Sequence, residues 1–407
     1  MKKNMKKWLS LSLALVLVLG LAACGGGSGG GGGAASGDGP IVIGTIQDLT
    51  GGASIAGIPN ARGVVYAVEA LNAEGGINGR EIELHVLDAT DPNEGIDAYR
   101  RLVEEIGVHA IVGPPLSNIA LAWVELSAED EIPVVGHFMD EAATTNPDTG
   151  EPFPYMFLAQ PSSMIHAGAM ADFAINELGF TTFATIYNSA NAFAVSQAEP
   201  FIRYVEANGG QVLVEETFSW TDTDVSAQAI RVVQANPEAV YISDFAVQAR
   251  MIVEQLRQAG FTGYILGANT LGANFATLMP GEDLSQVFFI SNYDETDFTT
   301  KTGELVRRYQ EEEGVDFWVG NVGFGWDATM VLAHALRLAD DPTNGAEVRD
   351  ILANQTTNVQ GSTSLITIDP ATHRPTGMPL FIGRHLPGGG GGIEIITSVT
   401  VYERDVR

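Results

Sequence analysis

Short apolar runs alternate with longer stretches of helical spacing along most of this chain, a rhythm that predicts strands and helices in turn. Ile41-Val42-Ile43-Gly44-Thr45-Ile46 is nearly continuously apolar, as a strand covered on both faces is. A helix over 58–73 follows, with Val64, Val65, Val68 and Leu71 at helical spacing. Gly75-Gly76-Ile77-Asn78-Gly79 ends it with residues that tolerate positive φ. Residues 81–87 alternate as a strand, 93–106 read as a helix, 110–112 as a strand and 119–128 as a helix. Ile132-Pro133-Val134-Val135 makes a fourth strand. Strand–helix repetition of this kind calls for a parallel sheet with helices on both faces.

The rhythm restarts after Tyr155-Met156-Phe157-Leu158. Helices are expected over 163–178, 199–208, 225–236 and 245–259, alternating with strands over 183–187, 211–217, 239–243 and 264–266. Two later helices (302–312 and 326–338) and hairpin-like strands (365–368, 380–384 and 393–402) complete the chain. The reading is two α/β lobes, and the length supports two real cores.

The first forty residues change the picture. Lys2, Lys3, Lys6 and Lys7 precede an apolar run over 8–19 that is too short to span a bilayer. Leu21-Ala22-Ala23-Cys24 then resembles a bacterial lipobox, which implies cleavage after residue 23 and lipid attachment at Cys24. Cys24 is the only cysteine, so a disulfide within one mature chain is impossible. Residues 24–40 are almost entirely Gly, Ala and Ser, a flexible tether that would hold the body ~20 Å from a membrane surface. Loss of the four leader lysines deepens the formal net charge from −29 to −33. That charge repels nucleic acid and keeps a crowded surface protein soluble.

One stretch stands out for chemistry. Ala110-Ile111-Val112 is stopped by Gly113-Pro114-Pro115, and Ser117 stands where the next helix begins. Helix N-termini at the carboxyl ends of such strands carry unpaired N–H groups and favour a negative group. Ser117 reads either as a helix cap alone or as a cap that also touches ligand.

Several motifs, in order, carry a family resemblance: Leu49-Thr50-Gly51, Ala73-Glu74-Gly75-Gly76-Ile77-Asn78-Gly79-Arg80, Val112-Gly113-Pro114 with Ser117, and Ile132-Pro133-Val134-Val135. Thr223-Asp224-Val225-Ser226, Gln258-Ala259-Gly260 and Trp326-Asp327-Ala328 continue the series. From residue 41 to about 369 the chain resembles the branched-chain amino-acid-binding group of periplasmic solute-binding proteins, which serve ATP-driven (ABC) importers. The resemblance implies a type I periplasmic-binding-protein fold, two doubly wound Rossmann-like lobes joined by three hinge crossings with the solute between them. Lobe one would take 41–159 plus 292–362, and lobe two 163–290 plus 365–407. The crossings would fall near 159–162, 291–293 and 361–364.

The same resemblance implies pocket residues. Ser117, with Asn118 beside it, keeps the hydroxyl that holds an α-carboxylate. Asp140 replaces a small hydroxyl residue in the loop Gly136-His137-Phe138-Met139-Asp140. Phe193 follows the strand end where a tyrosine usually stands, and Phe245 after Asp244 occupies an aromatic stacking position. Asn269 replaces the acid that receives the amine, Ala56 replaces a pocket aromatic, and Ala89 and Leu116 replace two cysteines that some members pair. The acidic group has thus moved to Asp140 or Asp244. A small polar solute is expected (an amino acid, an amide or a related, even cationic, compound) under the rings of Phe138, Phe193 and Phe245. The bland alternative makes Asp140 a turn cap and Phe138 core.

Rival readings are a sensor component and a hydrolase built on Ser117, His137 and Asp140. No Gly-x-Ser-x-Gly elbow supports the second. Gly323-x-Gly325-x-x-Ala328 mimics a dinucleotide fingerprint, but no strong strand precedes it, and helix packing explains it better. The seven histidines are scattered without metal-ligand spacing. The expectation is a non-enzymatic monomer without cofactor or metal, lipid-anchored outside the cytoplasm and partnered by an ABC permease. Replacing Cys24 by serine is expected to shift the chain from the membrane to the soluble fraction on cell fractionation, and an unchanged distribution would refute lipid attachment there.

Overall fold

The structure is a computed structural model describing residues 39–406. The leader, Cys24 and all but the last two residues of the tether lie outside the described residues. Strands β1 (Ile41–Gln47), β2 (Ile82–Asp88), β3 (Ala110–Val112), β4 (Val134–Gly136) and β5 (Met156–Leu158) pair in the order β2-β1-β3-β4-β5, all parallel. Helices α1 (Ser54–Ala73), α2 (Pro92–Arg100) and α3 (Ser117–Glu129) make the first three crossovers. One core contains Ile43, Val64, Val112 and Phe157; another contains Ile46, Tyr99, Ile111 and Trp123. Neighbouring residues of one strand thus enter different cores, as a sheet covered on both faces requires.

The second sheet is built from β6 (Thr182–Asn188), β7 (Gln211–Phe218), β8 (Ala239–Ile242), β9 (Tyr264–Gly267) and β10 (Val287–Ser291). These are parallel in the order β7-β6-β8-β9-β10, which repeats the order of the first sheet. Its helices are α4 (Ser163–Asn176), α5 (Ala192–Ala207), α6 (Ser226–Ala235), α7 (Ala246–Gln258) and the single turn α8 (Phe275–Leu278). The chain then returns to the first lobe as α9 (Lys301–Glu313), α10 (Asn321–Leu338) and α11 (Gly345–Gln355). Four two-residue strands follow: β11 (Val359–Gln360), β12 (Leu365–Ile366), β13 (Ile368–Asp369) and β14 (Arg374–Pro375). Strands β15 (Pro379–His385) and β16 (Ile393–Thr400) then extend the second sheet antiparallel from β10.

Two identical strand orders mean two topological switch points, between β1 and β3 and between β6 and β8. Connections leave such a point toward opposite faces, so a crevice opens at the carboxyl ends of the strands. Asp48, Gly113, Asn188 and Ser243 stand at those ends.

Several element boundaries differ from expectation. Helix α1 starts at Ser54 rather than 58 and carries Pro59 inside its second turn. Helix α5 starts at Ala192 rather than 199 and tolerates Pro200 in its middle. The expected helix over 93–106 becomes α-helix to Arg100 and a π-helical turn over Arg101–Ile106. Ile366, Ile368 and Met378 belong to the first core, and Leu158 N–H donates to the His373 carbonyl, so residues 365–378 pack with lobe one. The chain therefore re-enters the second sheet at Pro379, later than the expected crossing at 361–364.

Helix α10 begins five residues before the expected 326, because Gly323 and Gly325 lie inside it. A Cβ on Gly325 would sit 2.0 Å from the Asn60 carbonyl oxygen, and one on Gly63 would sit 2.0 Å from that of Val322. Backbone-to-backbone approach of α1 and α10 explains the glycines that imitate a nucleotide fingerprint. Gly325→Ala is expected to cost about 1–3 kcal/mol of stability as overpacking, read from the urea midpoint. Gly390→Ala, whose Cβ meets nothing within 4 Å, serves as the silent control.

Candidate functional site

The first lobe's wall of the crevice is held by carboxylates that accept from loop amides. Asp48, just after β1, accepts from Gly51 N–H (2.6 Å) and Ala53 N–H (2.9 Å), which fixes the entry to α1. Asp88 accepts from Leu49 N–H and the Thr50 hydroxyl, tying the loop after β1 to the loop after β2. Asp91 caps α2 by accepting from Asn93 N–H and Glu94 N–H, with Pro92 in the first turn.

The turn into α3 needs Gly113, whose φ is 115°. The N-cap is Leu116, and Ser117 is the first helical residue without a capping bond. This corrects the expected N-cap. The Ser117 hydroxyl, only 1% exposed, instead accepts from Met139 N–H and Asp140 N–H at 3.3 Å each. It ties α3 to the loop after β4. Asn118 reaches across to lobe two, donating to the Ala190 carbonyl (3.2 Å) and accepting from Ala192 N–H (2.9 Å).

Lobe two contributes an aromatic wall. Phe193 stacks on Phe245 (5.3 Å between ring centroids, 10° between planes), and Trp220 lies on Phe245's ring at 6.0 Å and 30°. Trp220 Nε1–H donates to the Ala190 carbonyl that Asn118 also uses, yet the residue is 48% exposed. Met139, Phe193 and Ala268, with Phe245 against them, form a small apolar cluster where the lobes touch.

Between these walls lies a cleft of about 410 Å³. Its lining includes Asp48, Asp91, Leu116, Asn118 and Ile119 from lobe one, and Trp220, Phe245 and Gln248 from lobe two. No lysine or arginine is among the lining residues. Of the expected site residues, Asn118 and Phe245 line the cleft, and Phe193 stacks directly behind Phe245.

The others lie elsewhere. Phe138 is fully buried in the first lobe's core, over Gly136, where a Cβ would meet its ring at 2.2 Å. Asp140 accepts from Ala142 N–H and caps the short turn Glu141–Ala143. Burial pushes its carboxyl up to about 6, with Glu199 acting in the same direction and Arg374 against it. Asp244 is sealed inside lobe two, accepting from Asn191 Nδ2, Phe245 N–H and Asn188 N–H. Desolvation raises it to about 7 despite those bonds. Asn269 lines a separate cavity of about 20 Å³ with Tyr293, Glu295 and Trp318, and its side-chain oxygen is buried without a partner.

The hydrolase constellation does not assemble. His137 pairs with Gln47 Oε1 (3.0 Å), and burial lowers it to about 3, a neutral ring. Ser117 serves backbone amides and Asp140 serves a cap, so the three side chains answer to three different partners. Among the described residues, no group of three or more His, Cys, Asp or Glu could hold a metal ion.

Sequence reading missed Trp220, Gln248, Asp48 and Asp91. Asp91-Pro92 was legible as a cap with proline behind it, and Trp220 as an aromatic among Ser219, Thr221 and Asp222.

The family model described as periplasmic binding protein matches residues 40–389. Leu/Ile/Val-binding protein homolog 3 of Brucella melitensis biotype 1 is 25% identical over 258 residues, 63% of this chain and 68% of that one. The Leu/Ile/Val-binding protein BraC3 of Rhizobium johnstonii is 26% identical over 233 residues, 57% of this chain and 62% of that one. Among solved structures, the leucine binding protein LivK of Thermotoga maritima superposes with a TM-score of 0.77 at 24% identity, covering 88% of this chain and 99% of that one. LivJ of Streptococcus pneumoniae, in complex with isoleucine, gives 0.76 at 22% identity, with 89% and 99% covered. A solute binding protein of R. palustris in complex with 4-hydroxybenzoate gives 0.75 at 14% identity, with 89% and 97% covered. At these identities the structural likenesses establish the fold.

Asn118→Ala removes two bonds between the lobes, each worth about 0.5–1.5 kcal/mol net. The expected outcome is a more open particle, read as an increased radius of gyration in small-angle scattering. An unchanged curve would show that Asn118 does not hold the lobes together.

Proposed function

The chain belongs to the periplasmic binding protein family, and on that premise we propose that it is an extracytoplasmic lipoprotein that captures a small solute between its lobes and delivers it to an ABC importer. The observation that carries the reading is the cleft of about 410 Å³, walled jointly by strand-end loops of both lobes. In the proposal the lobes part and close about crossings near 159–162, 291–295 and 376–379. The lipid at Cys24 and the glycine-rich tether keep the body near its permease.

The lining supports a solute of amino-acid size with an apolar body. Leu116, Ile119, Phe245 and Trp220 offer apolar surface to it. In α3's first turn the Ile119 amide donates to the Leu116 carbonyl, while the amides of Ser117 and Asn118 precede the helical ladder and suit a carboxylate. Asp48 and Asp91, with no cation in the lining, disfavour solutes of high negative charge and suit an amine or amide end. The named ligands of the relatives, leucine, isoleucine and valine, fit this description and head the panel to be tested.

Mass spectrometry of small molecules released from gently denatured protein is expected to show a bound solute of this class. Calorimetry with that solute then tests the wall. Trp220→Ala should weaken binding by roughly 5- to 150-fold, as loss of about 1–3 kcal/mol of aromatic burial requires. Unchanged affinity in that variant would move the site away from this cleft. Turnover of the solute would overturn the binding-protein reading itself.

A further inference from the structure

Among the described residues, the buried Asp244, Glu295 and Asp327 and the half-buried Glu141 are each raised to about 7, chiefly by desolvation. Their positions divide them into pairs. Asp244 lies wholly inside lobe two, against Asn188 and Asn191. Asp327 lies inside lobe one on α10, accepting from Ser362 N–H (2.5 Å) and the Ser362 hydroxyl (3.1 Å), with Tyr293 facing it. Glu141 and Glu295 lie where the chain passes between lobes.

Glu141 belongs to the loop after β4 and accepts from Met164 N–H of α4 in lobe two at 2.6 Å. It faces Asp140 and Arg374 on the lobe-one side and Ser162 on the crossing. Glu199 of α5 faces Asp140 from lobe two. Arg374 is the only cation in this group, and it already donates to Glu403 through Nη2 (2.7 Å) and Nε (3.2 Å). Asp140, Glu141 and Glu403 therefore gather about one guanidinium, and Glu199 adds a further carboxylate beside Asp140 from lobe two.

Glu295 is the second straddling acid. It accepts from Ala273 N–H of lobe two at 2.6 Å and faces Ser291 and Asp294 on its own segment. Gly272 lets it approach, since a Cβ there would sit 2.6 Å from Oε1. The other side of the Glu295 cavity is Trp318, Gly320, Asn321 and Phe324 of lobe one. Separation of the lobes would hydrate both acids, and their closure desolvates them.

We propose that closure of the lobes takes up protons at Glu141 and Glu295, so that the protein holds its solute more firmly at mildly acidic pH and loosens as pH rises. The direction follows from linkage. A carboxyl raised in the closed form and ordinary in the open form binds more protons when closed. Closure is then favoured as pH falls through about 7. Against an ordinary carboxylate value near 4, each group changes the closed-to-open ratio by up to about tenfold between pH 8 and 6.

The test uses the full chain with Cys24→Ser, which leaves no cysteine. Dyes on Glu105→Cys in lobe one and Glu206→Cys in lobe two report closure by energy transfer, with no solute required. The closed-to-open ratio should rise by up to about 100-fold from pH 8 to pH 6. Glu141→Gln combined with Glu295→Gln should flatten that slope, whereas Asp244→Asn and Asp327→Asn should keep it. A flat wild-type profile, or a full slope in the double variant, would overturn the proposal. If the double variant fails to fold, hydrogen exchange in the wild-type chain decides. After correction for intrinsic rates, the Met164 and Ala273 amides must be better protected at pH 6 than at pH 8, and equal protection overturns it. Solute capture by a pH-independent hinge would leave the binding function standing and remove this inference alone.

Discussion

Carboxyl oxygens accepting from loop amides are the interaction on which this structure depends. Every strand of a parallel sheet ends in a loop on the same side, and the amides of those loops have no ladder to join. A buried donor left unpaired costs about 1–3 kcal/mol. Here the acceptors are side-chain acids at the strand ends and helix starts: Asp48 and Asp88 around β1 and β2, Asp91 at α2, Asp244 after β8. Glu141 and Glu295 do the same at the crossings. Part of the chain's acidity is thus internal architecture rather than surface. The same acids lower the tolerance of the cleft for anions and place titratable groups where the lobes meet.

The α/β rhythm was legible because parallel strands buried on both faces need continuous apolar runs, and their helices need apolar stripes. What misled the sequence reading was proline and glycine inside helices. Pro59 and Pro200 look like breakers, yet α1 and α5 run through them. Gly323 and Gly325 look like a loop, yet their missing side chains let α10 touch α1. The stretch 365–378 was placed in lobe two by the family resemblance. Its apolar residues face the first core, a choice that tertiary contact makes and local pattern does not.

The site was legible in outline and less so in detail. The Gly113 turn is where the punctuating residues put it, the helix after it begins two residues before the expected 119, and Phe193 and Phe245, placed by the family resemblance, stack on each other. Which way a polar side chain turns was not legible. Ser117 and Asp140 sit at strand-end loops, as expected, but both spend their oxygens on neighbouring amides. Phe138 sits in the same loop and turns into the core, because Gly136 leaves room beneath its ring. Loop position limits the candidates, and competition for hydrogen-bond donors chooses among them.

The contact between the lobes is weak in kind, and that weakness suits a protein that must let go. Apart from the ion pair of Arg374 with Glu403 beside the third crossing, it consists of the bonds of Asn118, the Met164 and Ser163 amides on Glu141 and the Met139 carbonyl, and a small apolar cluster around Phe193. Bonds of this type exchange readily with water and contribute about 1 kcal/mol each. A broad apolar interface would fix one state, and no small solute could then supply enough differential affinity to move the equilibrium. With a bias of only a few kcal/mol, contacts made to both walls at once, by Leu116 and Ile119 on one side and Phe245 and Trp220 on the other, suffice to decide it. Solute chemistry and proton uptake then act on the same balance, because both are felt only when the walls meet.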